Sequence, residues 1–202
     1  HLTSTYPSFF YLSEPVYSWM GRSLATPLRR IPDVRRIIIH HTAQRSWLDS
    51  RSEEQIVREI YRYHAITNRW WDIGYNYIIW PSGTIYEGRL GWGNARAFHT
   101  RWNNEHSIGI ALMGDFDHEK PTHLQILSMV RLIDHAIREF DIPLDPDIPV
   151  FRECQNCTNY TEAVRRPWLI GHHHAGNTSC PGEYLEGWIE PLRQYFEQSH
   201  SH

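Results

Sequence analysis

The amino-acid sequence predicts a mixed α/β fold, a single domain with a central mixed β-sheet flanked by helices. Short β-branched runs alternate with longer stretches of helical periodicity, and two of those stretches open on a capping box. Between two of the strand candidates lies Pro81-Ser82-Gly83, turn chemistry that makes at least one connection a hairpin rather than a crossover. A chain of 202 residues with 41% hydrophobic content can bury one good core, which keeps the expectation to one domain.

Residues 1–33 mix Pro, Ser, Tyr and Arg without sustained periodicity and read as an irregular N-terminal arm; the domain proper is expected over 34–198. Arg36-Ile37-Ile38-Ile39-His40 has the β-branched character of a buried strand ending on a polar residue. A helix is expected from Ser52 to Ile66, where Ser52 and Gln55 form the capping box and Ile56, Ile60 and Tyr63 recur at helical spacing. Ile73–Trp80 and Thr84–Glu87 make the hairpin, and Ser107–Gly114 is a further apolar strand. Thr122 and Gln125 then open a long helix to Phe140, with Ile126, Val130, Ile133 and Ile137 on one face. From Asp141 to Pro167 the Pro- and Asn-rich sequence predicts an insertion loop. Trp168-Leu169-Ile170 returns as a short strand, and Trp188, Ile189, Leu192 and Phe196 mark a closing helix.

Composition removes several classes of function. A net charge of −3, with acids and bases intermixed, offers no basic stripe for nucleic acid or anionic lipid. No apolar run approaches the roughly eighteen residues of a membrane span. No signal peptide is visible, which does not place the chain in the cytoplasm. Nine Trp and eleven Tyr offer rigid apolar faces with polar tips, suited to sugars and peptides and equally to filling a core.

Chemistry concentrates in three places: His40-His41-Thr42 at a strand end, the run Gly171-His172-His173-His174, and Cys180-Pro181-Gly182. A catalytic zinc needs three protein ligands and an open fourth position, and imidazole with thiolate is a suitable set. Neighbours on a strand point to opposite faces, so His40 and His41 cannot both face one metal. Three consecutive histidines leave the register of a second ligand open among His172, His173 and His174.

The segments Ile38-Ile39-His40-His41-Thr42, Asp72-Ile73-Gly74-Tyr75-Asn76-Tyr77, Gly83-Thr84-Ile85-Tyr86-Glu87-Gly88-Arg89, Phe98-His99-Thr100, Ser107-Ile108-Gly109-Ile110 and Gly171-His172 through Thr178-Ser179-Cys180-Pro181-Gly182 together resemble the peptidoglycan recognition protein and type 2 amidase family, which includes phage T7 lysozyme. That resemblance implies a Zn2+ ion held by His40, His172 and Cys180, with Tyr75 and Thr178 as catalytic groups. It implies an extracellular or periplasmic enzyme, a monomer, that hydrolyses the amide between N-acetylmuramic acid and L-alanine in peptidoglycan or a muropeptide. His41, His64 and His99 lie in or beside motif segments and are expected to contact substrate or to support the ligands. Gly91-Trp92 occupies the region where relatives carry a Gly-Trp associated with diaminopimelate-type stems, but Leu90 is one residue extra, so Trp92 is a substrate reader or a structural residue.

Other readings remain within reach of the same resemblance. A peptidoglycan receptor without turnover keeps the groove but commonly replaces the Cys ligand, which is present here. A muropeptide-recycling amidase tends to carry Asp in that position. Cys154 and Cys157 depart from the family pattern; a local disulfide is the expected reading, against half a zinc site or two free thiols.

Overall fold

The computed structural model describes residues 29–44, 50–91, 93–145, 147–153 and 161–200. Residues 1–28 of the expected arm, Trp92, Cys154 and Cys157 lie outside the described residues. Of the arm's last residues, Arg30 bridges to Ala95 and Ile31 is buried in the core, as is Val34 at the start of the domain.

A five-stranded sheet forms the centre, in the order β3-β2-β4-β1-β7. Its strands are β1 (Arg36–His41), β2 (Tyr77–Ile79), β3 (Ile85–Glu87), β4 (Ser107–Leu112) and β7 (Leu169–Gly171). β1 runs parallel to both β4 and β7, β2 runs parallel to β4, and the hairpin partner β3 is antiparallel at the edge. The sheet is therefore mixed, as the single hairpin turn requires.

Alternation along β1 sorts its side chains between the two faces. Ile37 and Ile39 pack with Ile110, Leu112 and the apolar faces of α2 (His123–Glu139) and α4 (Ile189–Ser199), while Ile38 packs with Ile170, Val150 and Ala175 on the other side. Both faces are thus dry, and burying each Ile stabilises the fold by about 1.5–3 kcal/mol. His40 follows Ile38 in this alternation, which aims it to the face away from α2 and α4.

Both capping boxes form. The Ser52 hydroxyl accepts from Gln55 N at 3.3 Å and opens α1 (Glu53–Tyr61); the Thr122 hydroxyl accepts from Gln125 N at 3.1 Å and opens α2. Gln125 does more than cap, because its amide nitrogen also donates to Met113 O at 2.8 Å and fastens α2 to the end of β4. The α1 segment changes character before Ile66: residues Arg62–Thr67 widen into a π-helical turn that contains His64. Such turns insert extra backbone into a helix and re-aim one side chain.

Two expectations are corrected. β2 begins at Tyr77, not Ile73: the Asn76 backbone still pairs with Gly109 O and Gly88 N, but its side chain intrudes on the ladder, Oδ1 accepting from Gly109 N at 2.9 Å while the amide nitrogen donates to Gly93 O and Ala95 O. The expected insertion loop over 141–167 contains a hairpin, β5 (Ile148–Glu153) paired antiparallel with β6 (Thr161–Arg166). That hairpin is held from outside itself. Arg36, buried under it, donates to the carbonyls of Ile148, Pro149, Arg166 and Pro167 at 2.8–3.2 Å, and the Asn103 amide pairs with both backbone groups of Phe151 at 2.7 and 2.9 Å. Burial pulls the Arg36 guanidinium down to about 10 with Asp145 opposing, so it remains charged at neutral pH. The closing segment divides into α3 (Glu183–Glu186) and α4.

Candidate metal centre

Parallel strands β1 and β7 end side by side, and their ends deliver His40 and His172 to one place. Ligand sites in such sheets form at the carboxyl ends of the strands, where chains leave the sheet in diverging directions. The rings of His40 and His172 lie 4.5 Å apart. Cys180 returns to them on the loop that precedes α3, its sulfur 3.7 Å from His40 Nδ1. The candidate ligand atoms of the three residues all fall within 4.8 Å of one another. Zinc bonds of about 2.3 Å to sulfur and about 2.0–2.1 Å to nitrogen, at a tetrahedral angle, put S and N about 3.6 Å apart, so the Cys180–His40 spacing fits that ion.

The loop is fixed by short bonds of its own. Thr178 Oγ1 accepts from Cys180 N at 3.1 Å, and the carbonyl of Cys180 accepts from His173 N at 2.7 Å. Ser179 donates to Asp117 at 2.7 Å. The strand end also contributes, since the backbone N–H of His41 points to the Cys180 sulfur at 3.4 Å.

Protonation at the site follows from burial. His40 is pushed well below the ordinary imidazole range by desolvation and by His172 and His99, and His172 is pulled down to about 4, so both are neutral and carry a lone pair for a cation. Burial pushes the Cys180 thiol up to about 12, against the pull of the His41 N–H. A divalent cation reverses that preference, because a coordinated thiol is deprotonated. The donor set therefore fits zinc: neutral imidazoles, one thiol whose charge only a cation would compensate, and the spacing above.

Behind His40 runs a chain of bonds that sets its tautomer. His40 Nε2 lies 3.0 Å from His99 Nδ1, His99 Nε2 lies 3.3 Å from Ser107 Oγ, and Ser107 donates to Asn103 O. The final acceptor is a carbonyl, so each proton in the chain points toward it: His40 Nε2–H to His99, His99 Nε2–H to Ser107, Ser107 O–H to Asn103. His40 Nδ1 is thereby left as the lone pair that faces Cys180. Desolvation holds His99 at about 3, which keeps it the neutral acceptor this chain needs. Gly109 makes room for it, since a Cβ there would stand 2.4 Å from the His99 ring.

Tyr75 flanks the cluster, its ring 5.3 Å from His40 and 5.5 Å from His64. Burial and the neighbouring Cys180 raise its phenol above the usual range, so it stays protonated and can donate. His64 is buried, pulled down to about 4 by desolvation, and its Nδ1 accepts from Gly74 N at 3.1 Å, which pins the segment leading into Tyr75. Thr178 is exposed at the rim, and accepting from Cys180 N leaves its hydroxyl proton for another partner.

The structure therefore brings His40, His172, Cys180, Tyr75 and Thr178 together, with His64 beside Tyr75 and His99 beneath His40. His41 takes the other face of β1: its ring lies 6.3 Å from that of Phe116, its Nδ1 accepts from Phe116 N, and Asp115 and Asp117 are its acidic neighbours. Ser107 and Asn103 were not singled out from the sequence. Ser107 opens the Ser107-Ile108-Gly109-Ile110 segment, which the sequence marked as an apolar strand and as part of the family resemblance, whereas Asn103, four residues earlier, carried no signal.

Comparison with known proteins gives a consistent picture. The family described as N-acetylmuramoyl-L-alanine amidase matches residues 30–183. Peptidoglycan-recognition protein SC2 of Drosophila simulans is 30% identical over 172 residues, 85% of this chain and 80% of that protein. Among solved structures, N-acetylmuramoyl-L-alanine amidase LysC from Clostridium intestinale superposes with a TM-score of 0.62 at 25% identity, covering 86% of this chain and 91% of the amidase. The complex of tracheal cytotoxin with the ectodomains of peptidoglycan recognition proteins LCa and LCx superposes with a TM-score of 0.64 at 29% identity, covering 87% and 92% of the respective chains.

Proposed function

The chain belongs to the N-acetylmuramoyl-L-alanine amidase family, together with the peptidoglycan recognition proteins, and we propose that it is a zinc-dependent amidase that cleaves the bond between N-acetylmuramic acid and L-alanine of peptidoglycan. The observation that carries this reading is the convergence of His40, His172 and Cys180 within 4.8 Å, with the Tyr75 ring 5.3 Å from His40. His40, His172 and Cys180 would hold a zinc ion, which would supply Lewis-acid polarisation of the amide carbonyl and a more acidic water at neutral pH.

The chain's own groups do the rest. His99, through the 3.0 Å bond to His40, holds that imidazole in one orientation and one tautomer. Tyr75 remains a protonated phenol and gives its hydrogen bond to the carbonyl oxygen as negative charge develops there, where a fixed donor contributes most. Thr178 presents a second hydroxyl from the loop it shares with Cys180. Tyr63, 59% exposed with its ring 5.8 Å from His64, offers an apolar face to sugar or peptide on the Tyr75 side of the site. On this reading residues 34–198 are the catalytic unit and the β5–β6 hairpin is an insertion in it. No helix among the described residues is long and apolar enough to cross a membrane, and a substrate in the cell wall places the enzyme outside the cytoplasm.

Binding without turnover is the second reading, favoured by the relatives named for recognition. Incubation with diaminopimelate-type and lysine-type peptidoglycan, followed by mass analysis, decides between them. Free stem peptides beginning at L-alanine are expected with zinc present and absent for Cys180→Ser. Sedimentation with either polymer and no released peptide would establish the receptor instead.

A further inference from the structure

Two further histidines follow His172, and the family resemblance gives neither a role. Residues His172–His174 form one 3-10 turn, which projects His173 and His174 toward α3. There they meet Glu186. His174 Nε2 lies 3.3 Å from Glu186 Oε1, His173 Nδ1 lies 3.5 Å from Glu186 Oε2, and the two imidazole rings are 3.9 Å apart.

From these contacts we propose a second metal site, His173, His174 and Glu186, that takes Zn2+ or a similar divalent transition ion. Two imidazoles and one carboxylate with an open fourth position are a recurrent zinc set. For bonds of about 2.0–2.1 Å at a tetrahedral angle the ligand atoms stand about 3.3–3.4 Å apart, which the two observed histidine–carboxylate separations approach before any ion enters. A simple ion pair would satisfy the carboxylate. His174 bonds only Oε1 of that carboxylate; Glu186 Oε2 is buried and, among the described residues, has no hydrogen-bond partner, which leaves it a lone pair to give to a cation.

The carboxylate is also held in place. It fits the notch left by Gly171, where a Cβ would come within 2.1 Å of Oε2. With the three side chains 31–34% exposed, solvent ions reach them.

His173 and His174 precede the Cys180 loop and Glu186 follows it, so an ion here closes that loop like a clasp. The site would secure the segment that carries Thr178 and Cys180 rather than take part in cleavage, and it does not depend on the amidase reading.

Metal stoichiometry of the full chain tests the proposal, with Co2+ as a spectroscopic probe and Zn2+ in direct metal analysis. The first site contains a thiolate and gives sulfur-to-cobalt charge transfer, whereas the second does not. Two equivalents are expected in the wild type, the second adding only ligand-field bands and raising Tm further. Glu186→Gln and His174→Ala should each weaken the second equivalent about tenfold or more, while the charge-transfer band of the first reports an intact fold. If either variant fails to give that band, the other supplies the measurement. A single equivalent in the wild type overturns the proposal, as does a second equivalent that both variants bind unchanged, which would belong to histidines elsewhere, such as those at the chain ends.

Discussion

Replacing Gly109 by Ala tests the chain of bonds behind His40. An added Cβ would stand 2.4, 2.7 and 2.8 Å from Cγ, Cδ2 and Nδ1 of His99. Comfortable carbon contacts lie at about 3.5–4.0 Å, so the ring must withdraw by about 1 Å. Its bond to His40 is 3.0 Å long, and that displacement carries it past the roughly 3.5 Å at which a hydrogen bond is lost. Overpacking of this kind costs about 1–3 kcal/mol of stability. Loss of the orienting partner lowers zinc affinity by about 10–100-fold. Competition against a chromogenic chelator measures the second quantity, and urea unfolding of the metal-free protein measures the first. The double variant Gly109→Ala/His99→Ala gives the sharper test: with the ring gone the methyl group has space, so its zinc affinity should equal that of His99→Ala alone. Wild-type affinity in Gly109→Ala, or additive losses in the double variant, would refute the role given to His99.

Four other outcomes follow from the site and the fold. Tyr75→Phe keeps the ring against His40 and His64 and should lower kcat on the order of 10²-fold with KM and zinc content nearly unchanged; undiminished turnover would leave Tyr75 a structural residue. Cys180→Ser should abolish or greatly weaken zinc binding while Cys154→Ser leaves it near normal, and the reverse pattern in metal analysis would mean the wrong thiol has been assigned. His64 is held at about 4 against 6.5 in the unfolded chain, so below pH 6.5 the unfolded state takes up the proton first. Its share of stability, on the order of 3 kcal/mol when fully expressed, is therefore present above pH 6.5 and lost as pH falls toward 4. In metal-free protein His64→Gln should flatten that part of the curve, and a curve of unchanged slope would contradict the assignment. Arg36→Met should destabilise the fold by about 2–5 kcal/mol, since it strips donors from four carbonyls under the β5–β6 hairpin; a change below about 0.5 kcal/mol in denaturant unfolding would show that water replaces them.

What the sequence determined by itself was the local chemistry and the periodic elements. Ser52 with Gln55 and Thr122 with Gln125 fixed two helix starts, Pro81-Ser82-Gly83 fixed the hairpin, and the Ile37–Ile39 run fixed a strand buried on both faces, because each signal acts over a few residues and needs no partner from afar. Alternation along that strand also separated His40 from His41 before any contact was known. Family resemblance then chose His172 from three consecutive histidines, a choice that spacing alone left open. Tertiary structure decided the rest, wherever the deciding partner is distant in sequence. The β5–β6 hairpin is held by Arg36 and Asn103, 48 to 130 residues away, so the Pro- and Asn-rich segment read as a loop. The Asn76 side chain captures the Gly109 N–H just before β2 only because the fold sets Gly109 opposite it. The tautomer of His40 is set by His99, Ser107 and Asn103 through hydrogen bonds that leave no periodic trace. Glu186 faces His173 and His174 only because α3 folds back over Gly171, a residue whose missing side chain provides the space.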